Sequence, residues 1–124
     1  MRIVMDMKEY LELSEKTLSD HFNIDSPKEQ KMFHAVIGLS TEANELLDQF
    51  KKHVFYKREL DLVNLKEELG DVMWYIAILL RELDVKFEDV LDWNIEKLKK
   101  RYGEKFDTQK SIDRNIENEL NHIK

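Results

Sequence analysis

The chain has no cysteine, one proline and three glycines among its 124 residues. Without cysteine, disulfides, thiolate nucleophiles and cysteine-ligated zinc or iron–sulfur sites are excluded. A strand-rich fold needs a turn about every 8–12 residues, and this chain has too few turn-forming residues to supply them. The longest apolar run, residues 72–80, is less than half of the roughly 20 residues that a membrane-spanning helix needs. These absences predict an all-α protein that does not cross a membrane.

An excess of basic charge is also missing. The chain has 26 acidic and 20 basic residues and a net charge of −6, whereas a protein that follows a nucleic-acid backbone needs a basic face. The N-terminus turns polar after residue 5, which is not the pattern of a signal peptide. We therefore expect a soluble, cytoplasmic protein with one domain over residues 1–124, and neither a nucleic acid nor a membrane as its partner.

Apolar residues at spacings of three and four predict helices. Ser26, Pro27 and Glu29 form a capping box with proline at the first helical position. Asp61 is a candidate N-cap, and Gly103 suits a helix C-terminus. We predict an all-α, four-helix bundle-like fold with a short C-terminal tail helix. The predicted helices cover residues 7–22, 27–52, 61–83 and 87–102, with a weakly amphipathic tail segment at 112–123.

The third predicted helix is apolar on every side over residues 72–80. Such a helix must be buried on every side, and a bundle of this length has little to cover it with. We therefore expect this half of the helix to face another subunit, in a homodimer or homotetramer.

Two pairs of acidic residues carry the clearest functional signal. Glu42 and Glu45 on the second helix, and Glu68 and Asp71 on the third, are spaced i, i+3, so each pair shares one face of its helix. In an antiparallel hairpin, facing residues have a constant sum of residue numbers. Glu42 with Asp71 and Glu45 with Glu68 both add to 113. The hairpin would then turn at residues 56–57 and bring four carboxylates into one layer.

Such a layer predicts a metal site. Like charges at close range repel one another, and burial adds a desolvation cost. A divalent cation removes both penalties, and a ligand set made only of oxygens suits Mg²⁺ or Mn²⁺ better than zinc. On the fourth predicted helix, Asn94, Lys97 and Arg101 share a face that suits a polyphosphate. A metal with cations nearby indicates phosphoryl-group chemistry.

The alternative interpretation is that these are ordinary surface charges, because acid pairs also occur by chance on solvated helices. The sequence has no HExxH motif, Walker-type loop, GxGxxG or serine nucleophile elbow. A single Glu-x-x-His, Glu119 with His122, lies in the tail. A ferritin-like di-iron site needs two such motifs, so we assign this one no role.

Three stretches resemble the MazG-like nucleotide pyrophosphohydrolases, which belong to the all-α NTP pyrophosphatases. They are residues 38–45 (GLSTEANE), 67–75 (EELGDVMWY) and 94–103 (NIEKLKKRYG), the last similar to a fourth-helix pattern N-x-x-K-L-x-x-R-Y. Ser111 to Arg114 is similar to a Ser-x-x-Arg that often follows. The resemblance covers about residues 5–115. It implies the NTP pyrophosphatase fold, a dimer or tetramer with its site near a subunit interface, and Mg²⁺-dependent hydrolysis of a nucleoside triphosphate, a dNTP or non-canonical NTP, to the monophosphate and pyrophosphate.

The resemblance also implies roles for individual residues. The metal ligands would be Glu42, Glu45, Glu68 and Asp71, with Glu42 or Glu45 also activating the attacking water. The substrate-binding residues would be Asn94, Lys97, Arg101 and either Lys51 or Lys52.

Two positions depart from the family pattern. Thr41 stands where many relatives carry a third acid, and Asn44 stands where close relatives carry glycine. The sequence therefore leaves open which acid activates water and how many metals bind. The alternative function is a non-catalytic helical interaction module on the same fold.

Overall fold

The structure is a computed structural model that describes residues 4–124, and within these residues every regular element is a helix. This confirms the predicted all-α fold. No helix in the described range is both long and apolar enough to cross a membrane. The helices are α1 (Met7–Lys16), α2 (Pro27–Tyr56), α3 (Leu62–Leu83), α4 (Phe87–Tyr102), α5 (Thr108–Ile112) and α6 (Ile116–Leu120).

The predicted helix starts are confirmed by their caps. The Glu29 backbone N–H donates to Ser26 Oγ over 3.1 Å, directly before Pro27 begins α2. The Asn64 N–H donates to Asp61 Oδ1 over 3.0 Å at the start of α3. Each side chain satisfies one of the backbone donors that a helix start leaves unpaired.

The predicted end of the first helix, at residue 22, is wrong because α1 ends at Lys16. The Thr17 hydroxyl donates to the Ser14 carbonyl over 3.0 Å, and the Ser19 hydroxyl donates to the His21 carbonyl over 3.0 Å. Such local side-chain bonds offer the backbone an alternative to the helix. The apolar spacing beyond residue 16 therefore does not extend the helix.

The helices α2 and α3 form an antiparallel hairpin that turns where the acid spacing predicts. The second helix was expected to end near Lys52, but it continues to Tyr56, and Lys57 then turns the chain in the left-handed region at φ 55°. Contacts along the hairpin join residues whose numbers add to 113. These pairs are Lys31 with Glu82, Gly38 with Tyr75, and Gln49 with Asn64.

The C-terminal segment packs on α4 around a buried carboxylate. Glu119 on α6 is 1% exposed and accepts bonds from Arg101 Nε over 3.0 Å and Arg114 Nη2 over 2.9 Å. His122 Nε2 donates to the Trp93 carbonyl over 2.8 Å. The predicted tail segment is thus two short helices, α5 and α6, and both pack against α4.

The chain exposes far more surface than a compact protein of its mass. Its accessible area is 10,712 Å², against about 7,000 Å² for a compact 15.0 kDa monomer. Much of the excess is apolar and lies on the hairpin. Exposed apolar side chains there include Val36, Leu47, Phe50, Leu62, Leu69 and Met73. On ideal helices of 3.6 residues per turn, all six lie on the same side of the hairpin, away from Glu45 and Asp71.

The two glycines of the hairpin predict opposite responses to alanine. A Cβ at Gly38 would overlap the Tyr75 ring, whereas a Cβ at Gly70 would meet nothing within 4 Å. Gly38→Ala should therefore destabilise the fold by about 1–3 kcal/mol through overpacking. Gly70→Ala should stabilise it by about 0.5–1 kcal/mol, because glycine costs more conformational entropy in a helix.

Urea denaturation of both variants at one protein concentration provides the measurement. A Gly38→Ala protein as stable as the wild type would show that Tyr75 does not pack over Gly38. That result would remove one of the three contacts that define the register of α2 against α3.

Candidate metal centre

The hairpin brings the predicted acidic residues together. One carboxylate oxygen each from Glu42, Glu68 and Asp71 lies within 4.8 Å of the others. Glu45, one turn further along α2, contacts the carboxyls of Glu42 and Glu68. The packing of α2 on α3 therefore holds four carboxylates in one layer, as the constant sum of facing residue numbers predicts.

Two oxygens in this layer are buried without a partner. Glu68 is 8% exposed. Glu68 Oε2 and Glu42 Oε2 are both buried and accept no hydrogen bond from the described residues. A buried carboxylate oxygen without a donor is costly. A hard divalent cation bound between these oxygens would remove that cost, so the residues present fit Mg²⁺ or Mn²⁺.

Mutual repulsion changes the acidity of two of the acids. Contact with the Glu68 carboxyl, and the charge of Glu68, raise the pKa of Glu45 above its ordinary value. Contact with Glu42, together with burial, raises the pKa of Glu68. Each charged form is disfavoured by a neighbouring negative charge or by loss of water. A proton or a bound cation would relieve this repulsion.

A cavity of about 360 Å³ opens beside the acids, toward the connection between α2 and α3. Glu45 and Glu68 line one part of it, and Lys52 and Arg58 line another. Lys52 Nζ lies 2.8 Å from Asp48 Oδ2 on the same helix. The expected substrate-binding residue Lys52 therefore shares a cavity with two of the expected metal ligands.

The structure does not bring the expected residues of α4 to this cavity. Asn94 is exposed and Lys97 is half-buried, and neither lines it. The Arg101 guanidinium holds Glu119 through two hydrogen bonds of 3.0 and 3.3 Å. The arginines Arg101 and Arg114 lower the pKa of Glu119 to about 2. In the described chain Arg101 is thus committed to a carboxylate of its own tail.

Two residues that the sequence did not mark are Arg58, which lines the cavity, and Glu119, which is buried in an ion pair. Arg58 lies in the connection after α2, where periodicity carries no information, and only the left-handed turn at Lys57 directs it back toward the acids. Glu119 is the most buried charged residue described, but the sequence showed it only as part of a Glu-x-x-His to which we assigned no role. Five acids follow Arg101 in the sequence, and nothing in the pattern marks Glu119 as the partner of Arg101 and Arg114.

The chain is 39% identical over 75 residues to the Gene 37 protein of Mycobacterium phage L5. That alignment covers 55% of this chain and 63% of the phage protein, so the chain spans less than two thirds of its relative's length. No solved structure matches the chain.

A family match covers most of the helical core. The MazG nucleotide pyrophosphohydrolase domain matches residues 30–106. These residues include all four clustered acids, the cavity beside them and the whole of α4. Because the match extends over more than half of the sequence, the chain belongs to the MazG nucleotide pyrophosphohydrolase domain family.

Proposed function

We propose that the protein hydrolyses a nucleoside triphosphate, a dNTP or a non-canonical NTP, to the monophosphate and pyrophosphate with the help of Mg²⁺ or Mn²⁺. The observation that carries the proposal is the layer of four carboxylates with two buried, unpartnered oxygens. Membership of the family supports the class of reaction.

Glu42, Glu68 and Asp71 would hold the metal, because their oxygens converge within 4.8 Å. When bound, the metal supplies positive charge to the α-phosphate oxygens and lowers the pKa of water at the site. By holding the metal, the three carboxylates would determine where the reacting phosphate binds. Glu68 is the most buried of the three.

Of Glu42 and Glu45, Glu45 is the stronger candidate for the general base. It lies outside the group of three acids whose oxygens converge. In the proposed step, the oxygen of a water molecule bonds to the α-phosphorus while Glu45 accepts the proton. The bond from the α-phosphorus to the bridging oxygen breaks, and the electron pair leaves with pyrophosphate. Glu42 remains the alternative base.

Cations would stabilise the leaving pyrophosphate. Lys52 can do so from the cavity beside the acids. Lys97 and Asn94 would have to approach from α4, which packs on α5 and α6. Arg101 would have to release Glu119 before it could bind phosphate. No glycine-rich phosphate loop occurs in the sequence, which favours attack at the α-phosphate over release of the γ-phosphate.

Replacing each metal-layer acid by its amide should lower turnover on the order of 100-fold or more, because a ligand or base is lost. The variants are Glu42→Gln, Glu45→Gln, Glu68→Gln and Asp71→Asn. Without metal they should be at least as stable as the wild type, since one repelling charge is gone. Pyrophosphate release and melting temperature are the measurements.

The exposed neighbour Glu67 provides the control, because Glu67→Gln removes the same charge outside the layer. Mg²⁺ at 100 times its dissociation constant should stabilise the wild type and Glu67→Gln by about 2.7 kcal/mol, and Glu68→Gln by much less. Near-normal turnover in all four amide variants would exclude this site, and would favour the alternative, a non-catalytic interaction module.

The position of attack can be read from isotope transfer. Hydrolysis in ¹⁸O water should place the label in the nucleoside monophosphate, because water oxygen bonds to the α-phosphorus. Mass spectrometry of the products of all canonical and several damaged dNTPs would identify the substrate in the same experiment. Label in inorganic phosphate, with a nucleoside diphosphate beside it, would show that the γ-phosphate is attacked instead.

We further propose that the protein works as a homodimer or homotetramer. A chain with roughly 3,700 Å² more surface than a compact monomer has ample area for an obligate interface, which buries about 2,000–5,000 Å² over both partners. The apolar side of the hairpin is the surface that a second copy would cover. Sedimentation at micromolar concentration should give twice or four times 15.0 kDa, and a monomer would refute the proposal.

A further inference from the structure

We propose that Arg58, together with Lys52, binds the two terminal phosphates of the substrate. The triphosphate would then lie along the hairpin with its pyrophosphate end toward the connection between α2 and α3. This inference rests on the proposed function, because it assigns a direction to the substrate at the same metal centre. Arg58 would be a substrate-binding residue contributed by the connection rather than by a helix.

The first support is a shared cavity. The volume of about 360 Å³ beside the metal layer is lined by Glu45 and Glu68 at one end and by Lys52 and Arg58 at the other. A second cavity, of about 250 Å³, also carries basic side chains, but none of the four acids lines it. Only the first of these two cavities joins cations directly to the metal layer. A phosphate chain anchored at the acids can extend into it.

The second support is the direction of the two cations. Lys52 lies seven residues beyond Glu45, about 10 Å along the axis at 1.5 Å per residue. Helical side chains lean toward the N-terminus of their helix, and Lys52 accordingly reaches back to Asp48. Its ammonium therefore lies between its own backbone and the metal layer, where the β- and γ-phosphates of a bound triphosphate would be.

Arg58 is held at this place by its backbone. The His53 Nδ1–H donates to the Arg58 carbonyl over 2.8 Å, and the Arg58 N–H donates to the Lys52 carbonyl over 3.4 Å. The left-handed Lys57 turns the chain between them. Because these bonds use main-chain atoms of Arg58, its side chain can be replaced without breaking them.

The third support is that the Arg58 guanidinium forms no ion pair with the described residues and so can bind a ligand. Within residues 4–124 it has no ion-pair partner, although Glu59 and Asp61 line the same cavity. Acidic side chains outnumber basic ones around this cavity. An anion should therefore enter only when metal has neutralised the carboxylate layer. Guanidinium groups bind phosphate oxygens in pairs, which suits Arg58 to the outermost phosphate.

Calorimetric titration of the full-length protein with inorganic pyrophosphate tests the proposal. In the presence of Mg²⁺, Arg58→Ala should weaken pyrophosphate binding by about 10-fold or more, through loss of a charge-assisted contact. Arg58→Lys should fall between Arg58→Ala and the wild type. Lys66→Ala is the matched control, because it removes the same charge from an exposed site on α3 outside the cavity. Without Mg²⁺, the wild type should not bind pyrophosphate.

Product inhibition of triphosphate hydrolysis tests whether Arg58 contacts the terminal phosphates in particular. The two products to compare as inhibitors are pyrophosphate and the nucleoside monophosphate. Arg58→Ala should raise the inhibition constant of pyrophosphate and leave that of the monophosphate within about twofold. Unchanged pyrophosphate binding, or equal loss for both products, would overturn the inference while the proposed function stands. A wild type that hydrolyses no nucleoside triphosphate in the presence of Mg²⁺ would instead overturn the proposed function.

Discussion

The molecule depends on one register between α2 and α3. Sliding one helix past the other by a single turn would separate Glu42 from Asp71 and Glu45 from Glu68, and it would move the Tyr75 ring off Gly38. Cores are close-packed, so such a shift is a discrete alternative rather than a gradual one. The contacts that fix the register are the small residue Gly38 under an aromatic ring on one side of the acids, and the Gln49–Asn64 amide pair on the other.

This register holds together groups that would otherwise move apart. The raised pKa values of Glu45 and Glu68 report the cost of placing carboxylates side by side. Packing elsewhere in the hairpin has to offset that cost in the absence of a cation. Strain of this kind is expected at functional sites, because the arrangement that binds a ligand is seldom the one that is most stable without it.

Much of this arrangement could be predicted from the sequence because it follows from local chemistry. Ser26 and Asp61 mark helix starts through their own hydrogen bonds, and the acid spacing encodes the hairpin turn. The end of α1 could not be predicted in this way, because apolar spacing ignores the competing bonds of Thr17 and Ser19. Neither could the Arg101–Glu119 pair, which joins residues 18 positions apart.

The two contacts that fix the register lie on either side of the four acids along the hairpin. Because Gly38–Tyr75 and Gln49–Asn64 both lie outside the connection at residues 57–61, the length of that connection does not set the register. Once a connecting loop is flexible, each doubling of its length costs only about 0.6 kcal/mol in closure entropy. The connection is therefore free to vary in length and side chains while the carboxylate layer stays intact. The proposed phosphate contact of Arg58 and the carboxylate layer can therefore change separately, since they lie in different stretches of the chain.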